Sequence, residues 1–438
     1  MCMLDIKFIR ENKDIVQAGA ERKRVEIDIE KLIALDDERL KTLKEVEDLR
    51  AEVNKVSNDI VRDQDPALKI QLIEEMRVVK EEIKGKEDTL KKLIEEWQKL
   101  MLKIPNIPSV DTPEGKDDSG NKVIKTWGEK PQFSFKPKEH YEIGKALNII
   151  DTDTAGEVSG SRYAYLKGDL VLMQFALIQM CLEILTNPET LKKIAEDAGI
   201  SVTPSVFLPV IPPVFVRPLV QVKMARFMSP PEHYMFPEDD LMLIGSAEHT
   251  LGSMHMNKIF EEKDLPIRYA GYSTAFRREA GAAGKDTNGI LRQHQFDKLE
   301  MEVFSLPENS MQEQNFLVAI QEHVLQLLRL PYQVLAVCTG DMGFPDNRQI
   351  DLETWMPGQD KYRETHSADS TGGFQSRRLN TRVRRADGKI EPVHMNDATV
   401  VAIGRTLIAI IENYQQADGS VKIPEVLKKY MGGKEFIS

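Results

Sequence analysis

Between residues 28 and 103 the chain runs almost without helix breakers, and that stretch leaves few folds open to it. Leu40, Leu43, Val46, Leu49, Val53, Val56 and Ile60 recur at steps of three and four. After Asp63-Gln64-Asp65-Pro66 a second series follows through Ile73, Met76, Val79, Ile83, Leu90, Ile94, Trp97 and Met101. A narrow apolar seam at that spacing marks a helix that buries one stripe against a partner helix. Pro66 suits the first turn of a helix, where its missing N–H costs nothing. The spacing predicts two long helices joined by a tight turn, an antiparallel coiled-coil hairpin with arms of roughly 50 Å at 1.5 Å per residue. Gly85 weakens the second arm by about 1 kcal/mol relative to alanine. Periodicity alone fits a dimerisation coiled coil, a spacer or a recognition arm.

The remainder reads differently. Residues 104–122 turn rich in Pro, Gly and Asp, as linkers do. Beyond them, residues 168–185 have the apolar content and length of a helix, and 209–216 and 241–248 look like strand material. Strands do not alternate regularly with helices, so the expected class is α+β, centred on an antiparallel sheet flanked by helices. The expected division is an arm over 1–110, a linker over 111–122 and a body over 123–438. A net charge of −11 excludes a bulk, sequence-blind nucleic-acid coat and leaves room for local basic patches. Cys2, Cys181 and Cys338 lie far apart without a CxxC or Cys/His cluster, which points away from a disulfide framework or structural zinc and fits a reducing cytoplasm. The N-terminus lacks a signal-peptide apolar core, and no 18-residue apolar run is expected to cross a membrane.

The chemistry concentrates in residues 267–304, where two strand-like runs flank a polar loop holding Gly281, Gly284 and Gly289. Arg277, Arg278 and Glu279 end the first run; the second carries His294, Phe296, Lys298 and Glu300. Arginine at a strand end clamps a phosphate or carboxylate bidentately, an aromatic stacks on a base, and a carboxylate holds an amine. These are the parts needed to grip a nucleotide beside an amino acid.

This stretch resembles motif 2 of the class II aminoacyl-tRNA synthetases, specifically of the seryl-tRNA synthetase family. The shared pattern is F-R-x-E-A-G, a loop with D-T-x-G, then R-x-H-Q-F-D-K-x-E. Residues 159–177 resemble the lead into that family's first body helix. Pro212-Pro213 resemble its proline-centred motif 1, a dimer interface. Ser246-Ala247-Glu248 stand where the family has Thr-Ala-Glu. Residues 352–385 and 401–433 follow its motif 3 region and tail, with Gly404-Arg405 opening an apolar helix. The N-terminal hairpin resembles the arm with which these enzymes hold the long variable arm of tRNA, and Lys41, Lys44, Lys55, Arg62, Lys69 and Arg77 are candidates for its phosphates.

The resemblance implies a cytoplasmic homodimer that joins L-serine to tRNA(Ser) with ATP and Mg²⁺, without zinc; the motifs leave tRNA(Ser) and tRNA(Sec) undistinguished. It implies catalytic roles for Arg277 and Arg405. ATP would be held by Arg277, Arg278, Glu279, Phe296, Glu364, Thr365, His366, Ser367 and Arg405, with Mg²⁺ on Glu364 and Ser367. Serine would lie against Ser246, Ala247, Glu248, Arg277, Glu300 and Thr399. Two rival readings are a paralogue charging a carrier other than tRNA and a scaffold on a decayed body. The intact arm argues against the first, and Arg277, Glu279, Glu364 and Arg405 against the second.

The chain departs from the family in three places near the expected serine pocket. The family's S-C-S-N-C-E-D-F-Q becomes Ser367-Ala368-Asp369-Ser370-Thr371-Gly372-Gly373-Phe374-Gln375, with His366 in place of a small residue. Its L-N-G-S-G becomes Asn396-Asp397-Ala398-Thr399-Val400, so Thr399 falls on the hydroxyl position and Asp397 on an Asn, for which neighbouring Asn396 would compensate by a one-residue shift. After motif 1, residues 217–234 replace the usual Gly-Thr-Gly loop.

Overall fold

A computed structural model describes residues 4–62, 65–203, 205–226, 232–280, 286 and 288–438. The loop glycines Gly281 and Gly284, and Cys2, lie outside them. The chain forms two compact units, Met1–Ile107 and Pro108–Ser438.

In the first unit, short helices Ile6–Glu11 and Lys13–Arg22 precede α1 (Ile29–Arg62) and α2 (Pro66–Leu102). Pro66 opens α2, and the Asp65 side chain caps it by accepting from the Ala67 N–H. Val46, Met76, Ile83, Leu93, Trp97 and Met101 are buried along the seam. Leu40 and Ile73, expected in it, are 45% and 56% exposed. Over helices this long a 3.6-residue turn drifts against a fixed three-and-four pattern, and the contact line moves to other side chains. Arg50–Glu87 at 2.6 Å and Lys86–Glu45 at 2.7 Å cross between the helices, and the Arg39 guanidinium lies 4.9 Å from the Trp97 ring centre. All three pairs fit one antiparallel register. Lys41, Lys44, Lys55 and Arg77 are exposed and Lys69 partly so; the side chain of Arg62 lies outside the described residues.

The second unit is built on an eight-stranded sheet. Its strands are β1 (Lys122–Trp127), β2 (Leu208–Val210), β3 (Ile267–Phe276), β4 (Gln295–Ser305), β5 (Tyr332–Ala336), β6 (Arg348–Met356), β7 (Lys361–Gly372) and β8 (His394–Ala402). They lie in the order β1-β5-β6-β7-β8-β4-β3-β2, and every pairing is antiparallel except β2 with β3. One face buries Leu299, Met301, Val303, Ala368, Ala398 and Val400 against α3 (Asp169–Thr186), α5 (Ser310–Leu327) and α6 (Ile403–Asn413). A further helix, α4 (Pro218–Met224), follows the proline pair.

Strand alternation then dictates the other face. Phe296, Lys298, Glu300 and Glu302 of β4 point away from that core, as do Asp397 and Thr399 of β8. Glu300 lies opposite Thr399, Glu302 opposite Asp397, and Asp369 of β7 opposite Asp397.

Three expectations need correction. Residues 209–216 are not one strand: β2 and Phe215–Val216 are separated by Pro212-Pro213, which cannot donate to a ladder. Residues 241–248 begin as strand Leu241–Leu243, but Glu248 opens a short helix, Glu248–Leu251. And α3 is, by length and composition, apolar enough to cross a membrane; here it is a core helix with Leu170, Met173, Leu177, Cys181 and Leu185 fully buried. The Pro/Gly-rich stretch packs onto the body: Ser109 N–H donates to Asn347 O at 2.7 Å, and a Cβ on Gly115 would meet Cys338 Sγ at 2.5 Å.

Candidate active site

The uncovered face of β4, β7 and β8 floors a cavity of about 220 Å³ lined by Arg226, Glu248, Arg277, Glu279, Phe296, Lys298, Glu364, Ser367, Asp369, Thr399 and Arg405, among others. Arg277 follows the last residue of β3. Its guanidinium lies 5.4 Å from the Phe296 ring centre, a cation–π distance, and its Nε donates to Gly245 O at 3.1 Å. Gly245 is fixed in turn by its N–H, 3.2 Å from His249 Nδ1, which also meets Gln221 Nε2 of α4 at 2.6 Å. Burial pushes His249 down to about 3, so it is neutral and accepts at Nδ1.

Toward one end lie the groups suited to a nucleotide. Arg405, in the first turn of α6, donates to Glu364 O at 2.8 Å and sits 3.2 Å from Glu364 Oε2. A Cβ on Gly404 would stand 3.3 Å from Ile290 O, so glycine lets the helix start close to the loop end. Glu279 accepts from Arg292 Nη1 at 2.6 Å. Asp286 pairs with both Arg292 and Arg363. Behind the loop, the His140 N–H donates to Glu412 Oε1 of α6 at 3.1 Å, and His140 Nε2 accepts the Ile290 N–H at 3.1 Å. Gly289, at φ +70°, could not carry a side chain: its Cβ would fall 2.0 Å from His140 Nε2.

Toward the other end the charges are buried and dense. Ser246 Oγ lies 3.2 Å from Glu248 Oε2 and 3.1 Å from Glu300 Oε1. Glu300 Oε1 also accepts from Thr399 Oγ1 at 3.2 Å and pairs with Lys298. Burial works to raise Glu248, but Arg226 and then Lys298 outweigh it and hold the carboxyl well below its ordinary range. Glu302 and Asp397 go the other way, pushed up by burial and then by Glu248. Beneath, Gln321 of α5 donates through Nε2 to Ser367 O at 2.7 Å and to Thr399 O at 2.8 Å. Those residues lie just beyond the first ladder pair, Ala368 with Ala398, so the helix side chain bridges β7 and β8 where their pairing stops.

Most of the sequence-predicted residues converge on this cavity: Arg277, Glu279, Phe296, Glu364, Thr365, Ser367, Arg405, Glu248 and Thr399 line it. Ser246 and Glu300 lie just beneath it, hydrogen-bonded to Glu248 and Thr399. Three predicted residues are not brought to it. Arg278 turns to Tyr234, 5.8 Å from its ring centre. His366 is buried on the opposite side of β7 from Ser367, with Nδ1 2.8 Å from Thr365 Oγ1. The Ala247 methyl packs in an apolar cluster with Leu251 and Tyr269. Asn396 does not compensate for Asp397, because its side chain points to Ser310 on α5 while Asp397 faces the cavity side. The sequence reasoning missed Arg226, Lys298, Arg292 and Gln321 as members of the site. For Lys298 the signal was present, since it falls midway between Phe296 and Glu300 on an alternating strand.

Comparison with known proteins is consistent along the whole chain. Residues 234–414 match the family model for the class II tRNA synthetase core domain (G, H, P, S and T), and residues 3–108 match the seryl-tRNA synthetase N-terminal domain. A serine–tRNA ligase of Symbiobacterium thermophilum is 39% identical over 431 residues, 98% of each chain. One of Pelobacter propionicus is 40% identical over 446 residues, 99% of this chain and 100% of its own. Among solved structures, seryl-tRNA synthetase of Pyrococcus horikoshii complexed with ATP superposes with a TM-score of 0.86 at 36% identity, covering 99% of each chain. Cytoplasmic serine–tRNA ligase of Naegleria fowleri in complex with AMP gives 0.82 at 30%, covering 100% of this chain and 99% of its own.

Proposed function

Since the chain belongs to the seryl-tRNA synthetase family, we propose that this cavity is where serine and ATP are joined, with Arg277 bridging them. The chain is an ATP-dependent ligase that attaches serine to tRNA. The observation that carries the site assignment is the place of Arg277, between the Phe296 ring and Gly245, with the Ser246–Glu248 segment immediately beyond. From there one guanidinium reaches both the carboxylate of an amino acid and the α-phosphate of ATP. The serine carboxylate attacks the α-phosphorus, pyrophosphate leaves, and seryl-adenylate forms. A terminal ribose hydroxyl of tRNA then takes the seryl group and AMP departs. A carboxylate is already a nucleophile at pH 7, so adenylation needs positioning and charge stabilisation more than a general base.

In this reading Glu279 accepts from the adenine amino group, taking over a carboxylate that Arg292 now holds. Phe296 stacks on the base and Arg405 holds the pyrophosphate end. Glu364 and Ser367 offer the hard oxygens that Mg²⁺ prefers, and Mg²⁺ when bound offsets phosphate charge. Glu248 and Ser246 take the serine ammonium, and Glu300 and Thr399 its hydroxyl. The subsite offers carboxylates and hydroxyls rather than the thiolates and imidazoles that zinc favours, so the reading includes no zinc. Alanine leaves the polar groups unpaired, and threonine carries one methyl too many.

The proposed division keeps an arm over 1–110, a linker over 111–122 and a catalytic body over 123–438, in a cytoplasmic enzyme. The arm is assigned to tRNA(Ser). Homodimerisation is assigned to the surface around Pro212 and Pro213, where Leu208, Ile211, Phe215 and Leu219 are 60%, 84%, 45% and 57% exposed. Serine-dependent ATP–pyrophosphate exchange, with threonine, alanine and glycine in parallel, tests the site: exchange with serine alone is expected, and exchange with none of them sinks the assignment. Deleting residues 28–103 should spare exchange and cripple tRNA charging; surviving charging would reduce the arm to a spacer.

A further inference from the structure

The amino-acid end carries more charge than the family pattern calls for. Asp397 replaces an Asn, Asp369 a Ser, and Arg226 belongs to the segment that replaces a Gly-Thr-Gly loop. These departures are far apart in sequence, yet they meet at one point. Glu302, Asp397 and Asp369 lie directly opposite one another on β4, β8 and β7, an arrangement that like charges disfavour. Arg226 sits over that row with its side chain 15% exposed. Its Nη2 lies 3.4 Å from both Asp397 carboxylate oxygens and 3.7 Å from Asp346 and from Asp369, while its Nε is 3.1 Å from Glu248 Oε1. The other Glu248 oxygen meets Ser246 Oγ. Glu248 is thus engaged at both oxygens before any substrate arrives, and Arg226 ties it to the acidic row, whose Asp397 also hydrogen-bonds Glu248.

We infer that Arg226, braced by Asp369 and Asp397, is a positioning residue that holds Glu248 in place for the serine ammonium. The inference rests on reading this end of the cavity as the serine subsite. A planar guanidinium with donors on two edges spans from Glu248 to the row; a lysine ammonium carries the charge but cannot fork. Without any cation, Glu248 would face the acidic row directly. With Asp369 and Asp397 replaced by the Ser and Asn of the family pattern, only Glu302 of the row keeps a carboxyl and the cation is needed less. The unit is therefore exchangeable as a set and not piecemeal.

The test is serine and ATP KM and kcat in pyrophosphate exchange for wild type, Arg226→Lys, Arg226→Gly, and the triple variant Arg226→Gly/Asp369→Ser/Asp397→Asn. Arg226→Gly should raise serine KM on the order of 100-fold with kcat and ATP KM within about threefold, as expected for breaking a buried charge pair. Arg226→Lys should raise it roughly tenfold, and the triple variant should recover at least about tenfold of the single-variant loss. An unchanged serine KM in Arg226→Lys, or a triple variant no better than Arg226→Gly, overturns the inference. Should Arg226→Gly not fold, the Lys variant and the triple variant measured against wild type decide alone. If wild type shows no serine-dependent exchange, the reading of the site fails and this inference with it; exchange in wild type with serine KM unmoved in Arg226→Lys defeats only the role of Arg226.

Discussion

In the proposed reading, the two ends of the cavity meet charged ligands by opposite means. At the nucleotide end the charges are partly wet: the Arg405 side chain is 27% exposed and that of Glu364 50%. At the amino-acid end Glu300, Glu302 and Asp397 are almost fully buried, with Lys298 paired to Glu300 and Arg226 to Asp397. A polyphosphate brings its own high charge, so a few arginines on a rigid frame suffice. Serine is a small zwitterion with one hydroxyl, and it can be distinguished only by a preset network whose members are costly to leave unpaired. Buried charge answers substitution more sharply than exposed charge, because removing one partner strands the other.

That contrast can be broken or sharpened in order of expected effect. Arg277 belongs to both ends, so Arg277→Ala should lower serine-dependent exchange by about 10³-fold or more while tRNA affinity stays within a few fold; exchange at wild-type rate would remove the bridge on which the comparison stands. Arg405→Ala should raise ATP KM roughly 30-fold and leave serine KM near wild type. Thr399→Ala should do the reverse, raising serine KM about tenfold, as for loss of a hydrogen bond to a charged acceptor. Equal effects of either variant on both substrates would show the two ends to be one coupled network. The smallest effect concerns stability. His249 is held neutral by burial at about 3, below its ordinary 6.5. Unfolding lets it take a proton, so its contribution is intact above pH 6.5 and declines as pH falls toward 3, by about 1.4 kcal/mol per pH unit. Glu302 and Asp397, pushed up, titrate with the opposite sign and Glu248, held down, with the same sign, so the readout is the difference between wild type and His249→Asn in urea midpoint from pH 6.5 to 4. Parallel curves would mean that His249 is not held neutral.

Legibility followed the same division. The arm declared itself because helical periodicity persists over many turns, although the seam shifted away from Leu40 and Ile73. Arg277, Glu279, Phe296 and Glu300 were readable because one hairpin places alternate residues on one face. The same alternation explains the errors: His366, next to Ser367, necessarily points to the other side. Gln321 gave no warning, since it is one of four glutamines in its helix, with Gln312, Gln314 and Gln326, and its partners Ser367 and Thr399 are 46 and 78 positions away. Arg226 was hidden by lying where the chain leaves the family pattern.

One helix ties the cavity to the order in which the chain is made. Near its start α6 supplies Arg405, and near its end Glu412 takes the N–H of His140, which receives Ile290 on the cavity wall. On the ribosome the N-terminal hairpin emerges early and needs only near neighbours in sequence to fold. The nucleotide end waits for residues 405 to 412. In the proposed reading, a polypeptide stalled before that point displays the hairpin without Arg405 to hold the pyrophosphate end of ATP, so premature release yields a chain that carries the arm and no adenylating site.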